Sequence, residues 1–290
     1  MADRAVRLLA AAARLVPESW VYPVGRRLGR IAAYAGRAYS ARAHANIAAV
    51  FPTWTPARRR GVVLRMFEHL GIGVLEAVRL PTTPLAVRSE RVSVQGREIF
   101  DAAFRRGRGV VAATGHIGNW EVLAACFADL GYPVHVVARR HPNPRLHDFI
   151  VGLRNGYGVN VLDRDRDTRG MLKALRGGEI VALLVDQDTR VQGTMLPFLG
   201  VPAVTPLGHV RLALRTGAAL VALTITREDS GRHAVTVWEE IIPDTSLPEE
   251  DRTEVMARRC NEILGKAISL APEQWVWMHR RWRQPSRVTT

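Results

Sequence analysis

Gly109-Val110-Val111-Ala112-Ala113-Thr114-Gly115-His116-Ile117-Gly118-Asn119-Trp120-Glu121 is the stretch on which the fold turns. Small and β-branched apolar residues between two glycines read as a strand buried on both faces. Asn119 is a preferred helix N-cap residue, and the apolar residues after it predict a helix from Trp120 to Leu130. A buried strand feeding directly into a helix is half of a strand–helix–strand unit, which requires a parallel partner strand further along the chain.

The downstream sequence supplies those partners. Strands are predicted at Pro133–Ala138, Val159–Leu162, Ile180–Val185 and residues 219–226, with helices at 144–156, 168–176, 206–216 and 249–270. Ala234–Trp238 alternates as an exposed edge strand, and a short strand at Val92–Val94 with a helix over 96–106 precedes the opening stretch. Strands alternating with helices predict an α/β fold with a central, largely parallel sheet flanked by helices. Residues 1–80 read instead as a helical, membrane-associating N-terminal region. Val62, Val63, Met66, Phe67, Leu70, Val74, Leu75 and Val78 form one apolar stripe that Pro81 ends, and Thr55-Pro56 reads as a cap with proline at the first helical position. No linker divides residues 81–290, which read as one continuous α/β core.

Of 290 residues 47% are hydrophobic, a globular and not a disordered composition. The formal net charge is +14, and lysine contributes only Lys173 and Lys266. Such an arginine excess implies an anionic partner: nucleic acid, lipid headgroups or a phosphorylated carrier. Cys126 and Cys260 have neither metal nor redox spacing, and Cys126 reads as a buried core thiol. The apolar run at Ala5–Val16 is interrupted by Arg14 and then Pro17, short of the ~20 residues a spanning helix needs. It reads as an interfacial helix or an ordinary packing helix, with Arg26, Arg27, Arg30 and Arg37 continuing the basic pattern.

His116 and Glu121 are the chemical candidates. Gly115 and Gly118 permit a turn that brings them together. An imidazole can take the proton from an attacking hydroxyl, and a carboxylate on its other nitrogen fixes the tautomer. No serine elbow, Walker loop or dinucleotide fingerprint occurs.

Gly115-His116-Ile117-Gly118-Asn119-Trp120-Glu121 resembles the signature of the lysophospholipid acyltransferase superfamily, in the branch of lipid A late acyltransferases and phosphatidylinositol mannoside acyltransferases. Further segments carry the resemblance: Asn46 with Phe51-Pro52; Val137-Ala138-Arg139 with Asn143-Pro144; Arg154 with Gly158; Asp186-Gln187-Asp188; Pro197-Phe198-Leu199-Gly200 with Pro202-Ala203 and Thr205; and Pro272 through Trp282. Leu199 departs from that branch's second phenylalanine, and the N-terminal spanning helix of many lipid A enzymes is not found. The resemblance implies a membrane-surface O-acyltransferase, peripheral on the cytoplasmic face of the bacterial inner membrane. It would use acyl-ACP or acyl-CoA as cosubstrate, with no cofactor and no metal. The acceptor would be a glycolipid or lysolipid, resembling a lipid A precursor or a phosphatidylinositol mannoside. His116 would be general base and Glu121 its orienting carboxylate. Arg154, or else Arg139, would stabilise the charge that develops on the thioester carbonyl, and Asp186 would hold an arginine or orient the acceptor. Substrate contacts are expected from Asn119, Arg139, Gln187, Asp188 and Phe198.

Phe198 with its neighbours would line an acyl groove or pack as an ordinary loop. Trp275, Trp277 and Trp282 among Arg280, Arg281 and Arg283 suit a headgroup-level surface or a packed C-terminal segment, of which His279 would be a part. His44, His69, His209 and His233 have no recognisable partner in the sequence. Arg58-Arg59-Arg60 reads as a solvated helix face. The same dyad would serve an acyl thioesterase. A basic nucleic-acid-binding protein would explain the charge but no known module is present, and nucleic acid is not expected as a partner.

Overall fold

The computed structural model describes residues 10–187 and 193–282. Three helices come first: α1 (Glu18–Ala35), α2 (Arg37–Val50) and α3 (Pro56–Arg79). Thr55 caps α3 by accepting from the Arg58 amide at 3.2 Å, with Pro56 at the first position as expected. After α4 (Leu85–Glu90) come β1 (Val92–Gln95), α5 (Arg97–Arg105), β2 (Val110–Thr114), α6 (Trp120–Asp129), β3 (Val134–Ala138), α7 (Pro144–Asn155), β4 (Val159–Asp163), α8 (Thr168–Arg176) and β5 (Ile180–Leu184). The chain continues through β6 (Gly193–Phe198), β7 (Val201–Pro206), α9 (Gly208–Thr216), β8 (Ala219–Arg227), β9 (His233–Glu240) and α10 (Glu249–Leu270).

Seven strands form one sheet in the order β1-β9-β8-β2-β5-β3-β4, parallel at every junction except β8–β9. The α/β fold with a largely parallel sheet is therefore as the sequence implies. β2 is central and buried along its whole length. Both sheet faces are covered, one by α5 and α6 through Phe100, Leu123 and Phe127, the other by α9 and α10 with Val210, Ile263 and Leu264.

Two strand readings change. Residues 233–240 are not an edge strand: β9 lies between β1 and β8, and its alternate residues His233, Val235 and Val237 are buried. A β6–β7 hairpin occupies residues read as a loop. Its turn, Leu199-Gly200, has positive φ at both positions (52° and 78°), the geometry of a tight two-residue hairpin. Pro197, Pro202 and Pro206 disguised it, because proline weakens a strand pattern yet is tolerated in a two-stranded ribbon with free edges.

The segment after α10 returns across the molecule. Trp275 and Trp277 are fully buried, and so is Arg281, which donates to Thr205 Oγ1 at 3.1 Å and lies 4.5 Å over the Phe198 ring. These aromatics and this arginine are core, not a headgroup surface; Arg283 lies outside the described residues. Asn46 of α2 clamps the segment by donating to the carbonyls of Trp277 (2.7 Å) and His279 (2.8 Å).

Candidate active site

β2 and β5 are parallel neighbours with Thr114 opposite Leu184, and the Val185 amide donates to the Thr114 carbonyl at 2.8 Å. Two residues past each strand end, His116 and Asp186 therefore stand level. Asp186 Oδ1 lies 2.7 Å from His116 Nδ1, while Oδ2 accepts from the His116 amide (2.6 Å) and from the Trp275 indole N–H (2.7 Å). Burial opposes ionisation of Asp186, but the His116 ring, the Trp275 donor and the His116 amide outweigh it and hold the carboxyl well below its ordinary range. A carboxylate so placed accepts from Nδ1–H and leaves Nε2 as the basic nitrogen.

The turn that carries His116 is tightly built. Gly118 has φ +62°, and a Cβ there would sit 2.2 Å from the Ile225 carbonyl oxygen. Backbone bonds tie the turn to the C-terminal segment: Gly118 donates to Gln274, and Val276 donates to His116.

Glu121 is not the partner of His116 in this structure. In the first turn of α6 it faces α7, where Arg154 donates to both its oxygens (3.0 and 2.6 Å) and the Tyr157 hydroxyl donates to Oε2. Burial raises the Glu121 pKa, but Arg154 and Tyr157 lower it further, and the group stays ionised. Glu121 lines the same cavity as His116, but α7 brings Arg154 and Tyr157 against its oxygens, and the carboxylate on the His116 ring is that of Asp186.

The remaining expected residues separate. Asn119 is buried and spends its whole side chain on protein: Oδ1 caps α6 at the amides of Glu121 and Val122, and Nδ2 donates to Gly73 and Glu76. In this structure it serves as a helix cap. Phe198 is fully buried against Trp275 and Trp282, away from the cavity described below. Arg139 is at the cavity mouth with three-quarters of its side chain exposed, 3.9 Å from Asp165. Arg154 also reaches the cavity, but its charge is committed to Glu121. Gln187 lies against His116, and Asp188 is outside the described residues.

A cavity of about 320 Å³ opens beside His116, with Trp120, Gln187, Arg139 and Arg164 at its polar end. It follows the sheet face under α6, past Ala112, Ala182, Val136 and Leu123, to Phe100, Val134 and Ile180. From Leu184 to Ile180 along β5 its length is about 13 Å at the rise of a strand. One polar end at a base and one long apolar bore suit an aliphatic chain with its reactive carbon at the mouth.

Sequence reasoning read His279 only as part of a packed segment and did not name Tyr157. His279 packs 5.1 Å from the His116 ring, and its Nε2 is 2.5 Å from the Gln187 side-chain nitrogen. Both residues sit within or beside the segments on which the resemblance rests, but nothing in spacing marked them.

Residues 4–284 match the family described as bacterial lipid A biosynthesis acyltransferase. The chain is similar to the lipid A biosynthesis lauroyltransferase of Escherichia coli (strain K12), 28% identical over 270 residues, or 92% of this chain and 87% of the relative. It is similar also to the palmitoleoyltransferase of the same organism, 27% identical over 274 residues, 91% and 87% of the two chains. A phosphatidylinositol mannoside acyltransferase of Mycobacterium tuberculosis (strain ATCC 25618 / H37Rv) is 31% identical over 153 residues, 50% of this chain and 48% of the relative.

Proposed function

Because the chain belongs to the bacterial lipid A biosynthesis acyltransferase family and is an acyltransferase, we propose that it moves a fatty acyl group from acyl-ACP or acyl-CoA to a hydroxyl of a glycolipid. The observation that carries this reading is the His116–Asp186 pair at the mouth of an apolar bore. The acyl chain lies in the bore with its thioester at His116. The acceptor hydroxyl gives its proton to His116 Nε2 as its oxygen bonds to the carbonyl carbon, and the carbonyl electron pair moves onto oxygen. The C–S bond then breaks, and the leaving thiolate recovers the proton from His116. Asp186 holds the tautomer and supports the imidazolium.

The reaction takes place at a membrane surface. No helix among the described residues is long and apolar enough to cross a bilayer. The outer face of α1 exposes Trp20, Leu28, Ile31 and Tyr34 among Arg26, Arg27 and Arg30, a combination suited to anionic lipid headgroups on the cytoplasmic side of the inner membrane.

The test is mass spectrometry of membrane lipids from cells lacking the gene, restored with wild type or with His116→Ala. One lipid class should lose a single acyl chain, and wild type alone should restore it. An unchanged lipid profile, with purified protein that only hydrolyses acyl thioesters, overturns the transferase reading.

A further inference from the structure

Acyl transfer needs a donor at the carbonyl oxygen as well as a base, and neither arginine expected in that role is well placed. Arg154 donates through Nε and Nη2 to Glu121, and Arg139 is in water. Among the described residues, Gln187 brings the side-chain amide within hydrogen-bond reach of the base ring: its nitrogen is 3.0 Å from His116 Nδ1 and 3.1 Å from Nε2. Near-equal distances to both ring nitrogens place the amide over the face of the imidazole. An in-plane approach would put it on top of Cε1. The in-plane lone pair of Nε2 is thereby left to the acceptor hydroxyl, and the amide stands to one side of the line of attack.

The orientation of that amide is held by His279. Its Nε2 is 2.5 Å from the Gln187 nitrogen. Burial, the nearby His116 ring and Arg42 bring the His279 pKa down to about 4, so at neutral pH it is uncharged and can accept. The His279 backbone is fixed in turn by Asn46, and its segment by the Ile117–Trp275 bridge.

We propose that Gln187 is a catalytic residue whose side-chain N–H donates to the acyl carbonyl oxygen as negative charge develops there, and that His279 is a positioning residue that keeps this amide turned to the reacting centre. The inference rests on the acyl-transfer reading. It adds no bond-making step: the donor loses no proton, and proton transfer remains with His116.

The experiment is steady-state kinetics on the full chain with dodecanoyl thioesters of coenzyme A and of acyl carrier protein, the acceptor being the lipid class found in the deletion comparison. Gln187→Ala should lower kcat about 10²-fold with KM nearly unchanged, the mark of an interaction made only in the transition state. His279→Ala should cost about tenfold and His279→Asn, which retains an acceptor, less, as expected of a residue acting through a hydrogen bond. The double variant Gln187→Ala/His279→Ala should be no slower than Gln187→Ala alone, because His279 acts through the amide. Multiplying losses, a change confined to KM, or wild-type kcat in Gln187→Ala would overturn the proposal. Circular dichroism and Tm accompany each variant, with Gln187→Met in reserve if alanine unfolds the loop. Should wild type itself transfer no acyl group, both the function and this inference fall; if wild type is active and Gln187→Ala is unimpaired, only the inference does.

Discussion

Asp186 accepts three hydrogen bonds in a fully buried position, while Glu121 accepts from Arg154 and Tyr157. Their substitutions should therefore fail differently. Asp186→Asn replaces one acceptor oxygen with a donor and releases the His116 tautomer; turnover should fall by about 10⁴. Glu121→Gln leaves the buried Arg154 charge unbalanced and should cost about 3 kcal/mol of stability, with a smaller loss of kcat below the melting transition. Kinetics and thermal unfolding on the two variants separate these effects. If folded Glu121→Gln loses as much turnover as Asp186→Asn, the carboxylate that serves His116 during reaction is Glu121 after all. At this scale the sequence marked the residues and paired His116 with Glu121, where the structure sets Asp186 against the His116 ring. His116 and Asp186 are separated by 70 positions, and only the β2–β5 register brings them level.

Helices α1 and α3 meet through glycine. A Cβ on Gly29 would lie 2.1 Å from the Phe67 carbonyl oxygen, and one on Gly71 would lie 2.2 Å from that of Gly25. Backbone contact of this kind has no flexible side chain to absorb an added methyl. Gly29→Ala should push α1 off α3 and cost about 2–3 kcal/mol, a fall in Tm of about 5 °C, with vesicle binding weakened as the exposed face of α1 turns. Unchanged melting would show that the helices can separate without penalty. The apolar stripe on α3 was legible because Val62, Val63, Met66, Phe67 and Leu75 repeat at helical spacing and are buried. The glycine contact was not, since a glycine in a helix carries no pattern of its own. The β6–β7 hairpin escaped for a related reason: three prolines suppress a strand signal that pairing restores.

Among the described residues of the molecule, three imidazoles have a pKa lowered to about 4: His69, through burial and Arg227; His209, through burial alone; and His279, through burial and His116. Unfolded, each titrates near 6.5. Between about 6.5 and 4 the unfolded chain binds more protons, so stability is full above that window and is lost as pH falls through it. Glu76 and Asp186, both held below the ordinary carboxylate range, add a further loss at lower pH. Thermal melts from pH 7.5 to 4.5 should show Tm falling by several degrees, and His209→Leu should flatten part of the slope; a flat profile in wild type would contradict the burial of these groups. The sequence by itself determined the strand–helix alternation, the helical N-terminal region, the membership implied by ordered motifs, and the strand end on which His116 stands. Those properties are local: hydrophobic periodicity, caps and breakers act within a few residues of each other. Only the tertiary structure decided which carboxylate lies against His116, that Trp275, Trp277 and Arg281 are core, and that His279 returns beside His116. These are contacts between distant segments, and they depend on strand order and register, which no single stretch of chain contains.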